Sequence, residues 1–251
     1  MLLENIIIIS LKTILLFAIP FFGLFIHTKL IKNILPKDFP FVIFNRALLL
    51  GCLAVLSVIF FKELFFPQTL KSSIKETLTI TLFISFIEAG IIEEAFKVLF
   101  FILGSKHYEK TESLNPLNKF IFAALIGLGF GFAENIFYAY DYFVKDRFPF
   151  FNFSELYEIY SMLFGRNFTS ILAHTFMNAI FAYCFIRSSS FLFSLSIAIL
   201  IHGLYDFFAL PSTLLGLIFV KLWLIFAFCF CIYAIKSLNS KSSQLFLLSE
   251  L

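Results

Sequence analysis

The chain has 251 residues, of which 61% are hydrophobic and 14% charged, with a mean hydropathy of +0.97. Soluble globular chains average about 45–50% apolar and about 25% charged residues, so this composition excludes an ordinary soluble domain and specifies an all-α, polytopic transmembrane bundle. A net charge of +3, scattered without a basic run, excludes nucleic acid as a partner.

Seven apolar segments follow in chain order, at about 5–30, 41–61, 78–103, 119–141, 160–186, 191–210 and 213–235. Crossing a hydrocarbon core takes roughly 20 residues. The first segment has no basic stretch before it and no cleavage site after it, so it is expected to stay as a span rather than act as a signal peptide. Pro36, Pro40, Pro67, Pro116, Pro149 and Pro211 fall between segments or at their ends, whereas Pro20 predicts a kink inside the first. The aromatic cluster Phe150-Phe151-Asn152-Phe153, with Tyr157 and Tyr160, predicts an interfacial loop. The tail from Ser237 is expected to be mobile or to graze the membrane. The 40 phenylalanines fill positions that need only be apolar, and Cys52, Cys184, Cys229 and Cys231 read as small buried hydrophobes because none forms a CxxC pair. No repeat and no second soluble domain is visible.

Basic loop residues set the expected orientation. Ten lie after spans one, three and five and in the tail (Lys29, Lys32, Lys37, Arg46, Lys106, Lys110, Lys119, Arg187, Lys236 and Lys241). Five lie on the other side (Lys62, Lys71, Lys75, Lys145 and Arg147). The bias puts the N-terminus outside and the C-terminus in the cytoplasm.

The informative residues are the polar ones inside the spans. Span three carries Glu88, Glu93, Glu94 and Lys97, and span four carries Gly127-Leu128-Gly129-Phe130-Gly131 followed by Glu134-Asn135. Span five carries Arg166, His174 and Asn178, and span six carries His202 and Asp206. A charged group at mid-bilayer costs at least ~2.5–3.5 kcal/mol, so such residues mark function. At ~1.5 Å per residue, Glu93, Glu134, His174 and His202 lie ~15, ~22, ~18 and ~17 Å from the cytoplasmic ends of their spans, which puts them in one layer.

Helical spacing adds detail. Glu93 and Lys97 are i,i+4 and are expected to form an ion pair, with Glu94 pointing about 100° away. His174 with Asn178, and His202 with Asp206, share faces in the same way. Gly127 and Gly131 predict a close helix contact. If all ionised, the five carboxylates against Lys97 and Arg166 leave −3 in a dry layer, which calls for shared protons, cationic imidazoles or a divalent cation. Two histidines plus carboxylates make a zinc-compatible donor set. Taken singly, Glu88 reads as structural, Glu134-Asn135 as either helix glue or part of the site, and Arg166 as interfacial. His27 and His107 receive no role.

In this order, Glu93-Glu94-x-x-Lys97, Gly-Phe-Gly-Phe-Ala-Glu134-Asn135-x-x-Tyr138, Arg166 with His174, and His202-x-x-x-Asp206 resemble the PrsW family. These are bacterial intramembrane proteases related to CAAX prenyl endopeptidases and bacteriocin self-immunity proteins. The resemblance spans about residues 85–208. It implies a motif-free N-terminal region (1–76), a catalytic core (77–210), and a last span with a short cytoplasmic tail (211–251). It also implies a multi-pass protein of the bacterial inner membrane that cuts a single-pass, membrane-embedded substrate such as an anti-sigma factor, in a stress response.

By position, Glu93 and Glu94 match the paired catalytic glutamates, His174 and His202 the motif histidines, and Asp206 a place where relatives carry Asn or Asp. The implied chemistry has one glutamate of the pair, with His174, deprotonating a water. His174, His202 and Asp206 would ligate zinc, with Glu94 or Glu134 as a further ligand, or His202 with Asp206 or Asn178 would stabilise the oxyanion. Lys97, Asn135 and Asn178 support the site.

The competing readings are a CAAX-type prenyl-protein endopeptidase, a proton-coupled transporter and a non-catalytic relic. Inverted halves, which would favour a transporter, are absent. There is also no HExxH, Gly-x-Ser-Gly or Gly-x-Gly-Asp motif for another class of intramembrane protease.

Overall fold

A computed structural model of the chain describes residues 2–35, 39–66, 78–109, 115–145, 153–210 and 213–249. Among these residues there is no strand, and seven helices follow the seven apolar segments. They are α1 (Leu2–Ile34), α2 (Phe41–Phe65), α3 (78–109), α4 (Pro116–Lys145), α5 (Phe153–Ser188), α6 (Phe191–Ala209) and α7 (Leu214–Ser249). Six of them are long and apolar enough to cross a membrane. The remaining helix, α3, is long enough but carries Glu88, Glu93, Glu94 and Lys97 in its middle. The result is a multi-pass helical membrane bundle.

Pro36, Pro67, Pro149 and Pro211, and residues 150–152 of the aromatic-rich stretch, lie outside the described residues. Tyr157 and Tyr160 belong to α5 rather than to a loop. The tail continues α7 as helix to Ser249, because neither proline nor glycine follows Gly216 to stop it.

Local chemistry sets the helix starts. Pro116 occupies the first turn of α4, where its missing N–H is not needed, and the Asn115 side chain accepts from Asn118 N at 2.7 Å. Ser190 caps α6 by accepting from Phe193 N. The two-residue link before it turns through Ser189, whose φ of 53° is a conformation L-residues seldom adopt.

The centre of the bundle is α4 and α5. Of the apolar windows in these two helices, 78% and 72% of residues are buried, against 22% in α1 and α7. The peripheral helices turn Phe21, Phe25, Leu53, Phe60, Leu215 and Phe226 outward, an apolar surface suited to lipid rather than water.

Glycine explains how the central helices come so close. A Cβ on Gly127 would stand 2.2 Å from the carbonyl oxygen of His174, so only glycine lets α4 touch α5 beside that residue. Gly129, about 200° round the helix, meets α2 in the same way, with Leu48 O at 2.1 Å from its Cβ position. The close contact expected from the glycine stripe is therefore present, on two faces rather than one.

In α3, an ordinary helical turn at Leu78–Leu82 gives way to a π-helix at Phe83–Glu93 and then to an α-helix at Glu94–Glu109. Wide turns of this kind are rare and concentrate at functional sites. The switch falls between the two adjacent glutamates, where Glu94 N–H closes a tighter bond to Ile91 O.

Candidate active site

The π-to-α switch sends the two glutamates to different partners. Lys97 pairs with Glu94, at i,i+3, and not with Glu93 as the spacing predicts. The 3.6-residue period assumed for that pairing does not hold through a π-helix, so Glu93 is turned toward α2. There Lys62 Nζ donates to Glu93 Oε1 at 2.8 Å. Lys62 is thus no loop residue; it sits in the last turn of α2 and points inward.

Glu94 and Lys97 are both fully buried. The Lys97 ammonium is enclosed by the Glu94 carboxylate, by His174 Nδ1 at 3.1 Å and by the face of Phe130, 4.6 Å from the ring centroid. Glu94 Oε1 also accepts from His202 Nδ1 at 2.7 Å. With Nδ1 donating to a carboxylate, neutral His202 carries its lone pair on Nε2. That nitrogen faces Glu93 Oε2 at 3.9 Å and Asp206 Oδ2 at 3.5 Å.

His174 is held at both ring nitrogens. Nδ1 accepts from Lys97, which can only donate, so Nε2 carries the proton and donates to Glu134 Oε2 at 3.1 Å. The same oxygen accepts from Arg166 at 2.9 Å and Ser170 at 3.0 Å. Arg166, Ser170 and His174 are spaced four apart, so one face of α5 delivers all three to Glu134. Arg166 also stacks over Tyr138 at 3.6 Å and donates to Asn135 at 3.2 Å. It joins the polar network because Glu134 and Tyr138 on α4 draw it inward.

Glu93, His174 and His202 each offer a ligand atom, and these atoms lie within 4.8 Å of one another. The imidazole rings are 5.1 Å apart at 81°. All three side chains are buried, and Oε2 of Glu93 has no hydrogen-bond partner among the described residues. Oε2 of Glu94 also lacks one, but its Oε1 is already shared by Lys97 and His202. Asp206 stands at the rim, its Oδ2 3.5 Å from His202 Nε2.

The geometry places the expected residues unevenly. Glu93, Glu94, His174 and His202 converge as the sequence indicates, with Lys97 and Glu134 packed around them. Asn135 lies one step behind, linking Arg166 to Asn167. Asn178 does not join His174; its Nδ2 donates to Ala123 O and ties α5 to α4, since the helix there faces backbone rather than the cluster.

Sequence reasoning missed Lys62, Ser170, Asn167 and His27. Asn167 Nδ2 donates to Ile19 O at 2.6 Å, and His27 Nε2 donates to Asn167 O at 2.7 Å, so α1 is clamped to the site's supporting network. The i,i+4 spacing from Arg166 was a signal for Ser170. None existed for the α1 contacts, which join residues well over 100 positions apart.

The profile of one protein family, described as the PrsW family intramembrane metalloprotease, matches residues 40–234. The chain belongs to the PrsW family. It is therefore a hydrolase, an intramembrane protease whose substrates are membrane proteins, and the transporter alternative falls. No curated protein and no solved structure matches the chain. The family match begins at α2 and so includes Lys62, well before the Glu93-Glu94 motif. The metalloprotease description agrees with a donor set of two imidazoles and one carboxylate.

Proposed function

We propose that the chain cuts a single-pass membrane protein within the bacterial inner membrane, using Glu93, His174 and His202 as the reacting set. The observation that carries this reading is the convergence of those three buried groups from α3, α5 and α6. An anti-sigma factor as substrate rests on the family resemblance of the ordered motifs alone. A panel of single-pass membrane proteins co-expressed with wild type and with Glu93→Gln, His174→Ala or His202→Ala tests the reading. Cleavage that all three substitutions leave untouched would sink it.

The set fits a divalent ion, zinc by donor chemistry. Glu93 Oε2 is buried without a hydrogen bond, and Nε2 of His202 turns its lone pair toward it. Glu93, His202 and, on giving up one of its two ring hydrogen bonds, His174 would hold the ion, which would supply a polarised carbonyl and a water acidic near neutral pH. Glu94 fixes the His202 tautomer. Asp206, with no lysine or arginine pair among the described residues, takes the proton from the attacking water at Oδ2 and returns it to the leaving amine. Lys62, Glu134, Arg166 and Asp206 are 20–26% exposed at their side chains and all lie toward the ends of their helices nearer Phe65, Lys145, Phe153 and Ala209. Water enters from that end.

A second, metal-free reading is favoured by His174, both of whose ring nitrogens are already engaged. In that reading Glu93 Oε2 takes the proton directly, and His202, cationic beside Asp206, donates from Nε2 to the oxyanion. Asp206→Asn separates the two. It lowers turnover about 10²–10⁴-fold where Asp206 is the base and far less where it is only a hydrogen-bond partner.

A further inference from the structure

We infer that Lys62, on α2, is a positioning residue of the site, holding Glu93 Oε1 so that Oε2 is presented to His174 and His202. The inference rests on the reading of Glu93 as a reacting group.

A lysine three residues from the end of a membrane helix ordinarily extends its head outward to the water. Lys62 does the reverse and reaches in, 2.8 Å from Glu93 Oε1. It is not required to bind α2 to the bundle, since Gly51 and Gly129 already bring α2 and α4 into backbone contact. Its effect is on one carboxylate. Oε1 is fixed, and Oε2 is left buried and without a hydrogen bond, 3.9 Å from His202 Nε2.

The charges of the layer point the same way. Glu94 has Lys97, Glu134 has Arg166, and Glu93 has Lys62. Without Lys62, Glu93 would be an uncompensated carboxylate next to a second one in a dry layer, free to turn toward any donor. Groups that hydrogen-bond a ligating carboxylate orient it, and their removal typically costs about 10–100-fold in metal affinity or activity.

The test uses the purified full chain in detergent, with zinc affinity read by competition against a chromophoric chelator and kcat and KM read on a membrane-embedded substrate. Lys62→Met should weaken zinc binding and lower kcat, each about 10–100-fold, with KM unchanged. Lys62→Arg, which keeps charge and donor, should recover most of both. In a Glu93→Gln background Lys62→Met should add nothing, because its action passes through Glu93. If Lys62→Met does not fold, as judged by thermal melting, Lys62→Gln replaces it in the same series. Wild-type zinc affinity and kcat in the neutral variant, or an equal loss in the Glu93→Gln background, overturns the assignment. If instead Glu93→Gln itself keeps zinc binding and cleavage, the reading of the reacting set fails and not the assignment of Lys62 alone.

Discussion

The polar layer has a sealed half and a wetted half, and two neighbouring residues of α3, Glu93 and Glu94, mark the boundary between them. Glu94 and Lys97 have no exposed side-chain surface, and His202 has 1%; Lys97 Nζ and His202 Nδ1 are both held by Glu94. Across the layer, Lys62, Glu134, Arg166 and Asp206 retain a fifth to a quarter of theirs. Glu93 lies between, one residue from Glu94, with one oxygen held and the other without a hydrogen bond. Burial and pairing make Glu94 a structural anchor that sets a tautomer, while Asp206 is exposed enough to meet water and Glu93, though buried, keeps one oxygen without a hydrogen bond. Two adjacent glutamates of one motif therefore have different surroundings, and the π-to-α switch falls between them.

The sharpest way to break this contrast is from the wetted side. Asp206→Ala should reduce turnover about 10²–10⁴-fold while the thermal midpoint stays at the wild-type value. A loss of stability equal to that of a sealed-half variant would erase the distinction. From the sealed side, Lys97→Met leaves Glu94 buried without its cation. Breaking a buried pair in this way costs about 3–5 kcal/mol, read from chemical denaturation in detergent. A variant as stable as wild type would mean that Glu94 is neutral or hydrated and the half is not sealed.

Smaller effects sharpen the boundary. Gly127→Leu should cost about 1–3 kcal/mol by overpacking α4 against α5 and should also lower activity, because the strain falls on the backbone of His174. Stability loss with full activity would show that His174 is placed independently of that contact. The smallest effect belongs to the lipid face. Leu215→Ala, at a side chain 69% exposed, should stay within about 0.5 kcal/mol and leave cleavage unchanged.

The sequence carries this contrast only in part. Apolar runs long enough to span, interrupted at matching depths, are enough to locate the seven helices and to bring Glu93, Glu94, His174 and His202 into one layer. The partners are another matter. Pairing Glu93 with Lys97 follows from a 3.6-residue period, and nothing in Phe83–Glu93 announces a π-helix. Lys62 reads as a loop charge because it sits at a span's end, and its inward turn exists only once α2 packs against α3. Arg166 reads as interfacial, and its partners Glu134 and Tyr138 become visible only across the α4–α5 contact. Asn178 misleads in the opposite direction, since shared helical phase with His174 does not oblige it to leave Ala123 O. Depth is a property of one helix and can be counted; partnership is a property of two helices and cannot.

The central claim is that Glu93 reacts and Glu94 holds. It is tested most directly by measuring cleavage of a membrane-embedded substrate and the thermal midpoint on the same preparations of Glu93→Gln and Glu94→Gln. The account predicts that Glu93→Gln keeps the wild-type midpoint and loses cleavage, whereas Glu94→Gln loses several degrees of midpoint. Wild-type cleavage by Glu93→Gln, or a fall in midpoint confined to Glu93→Gln, would contradict it.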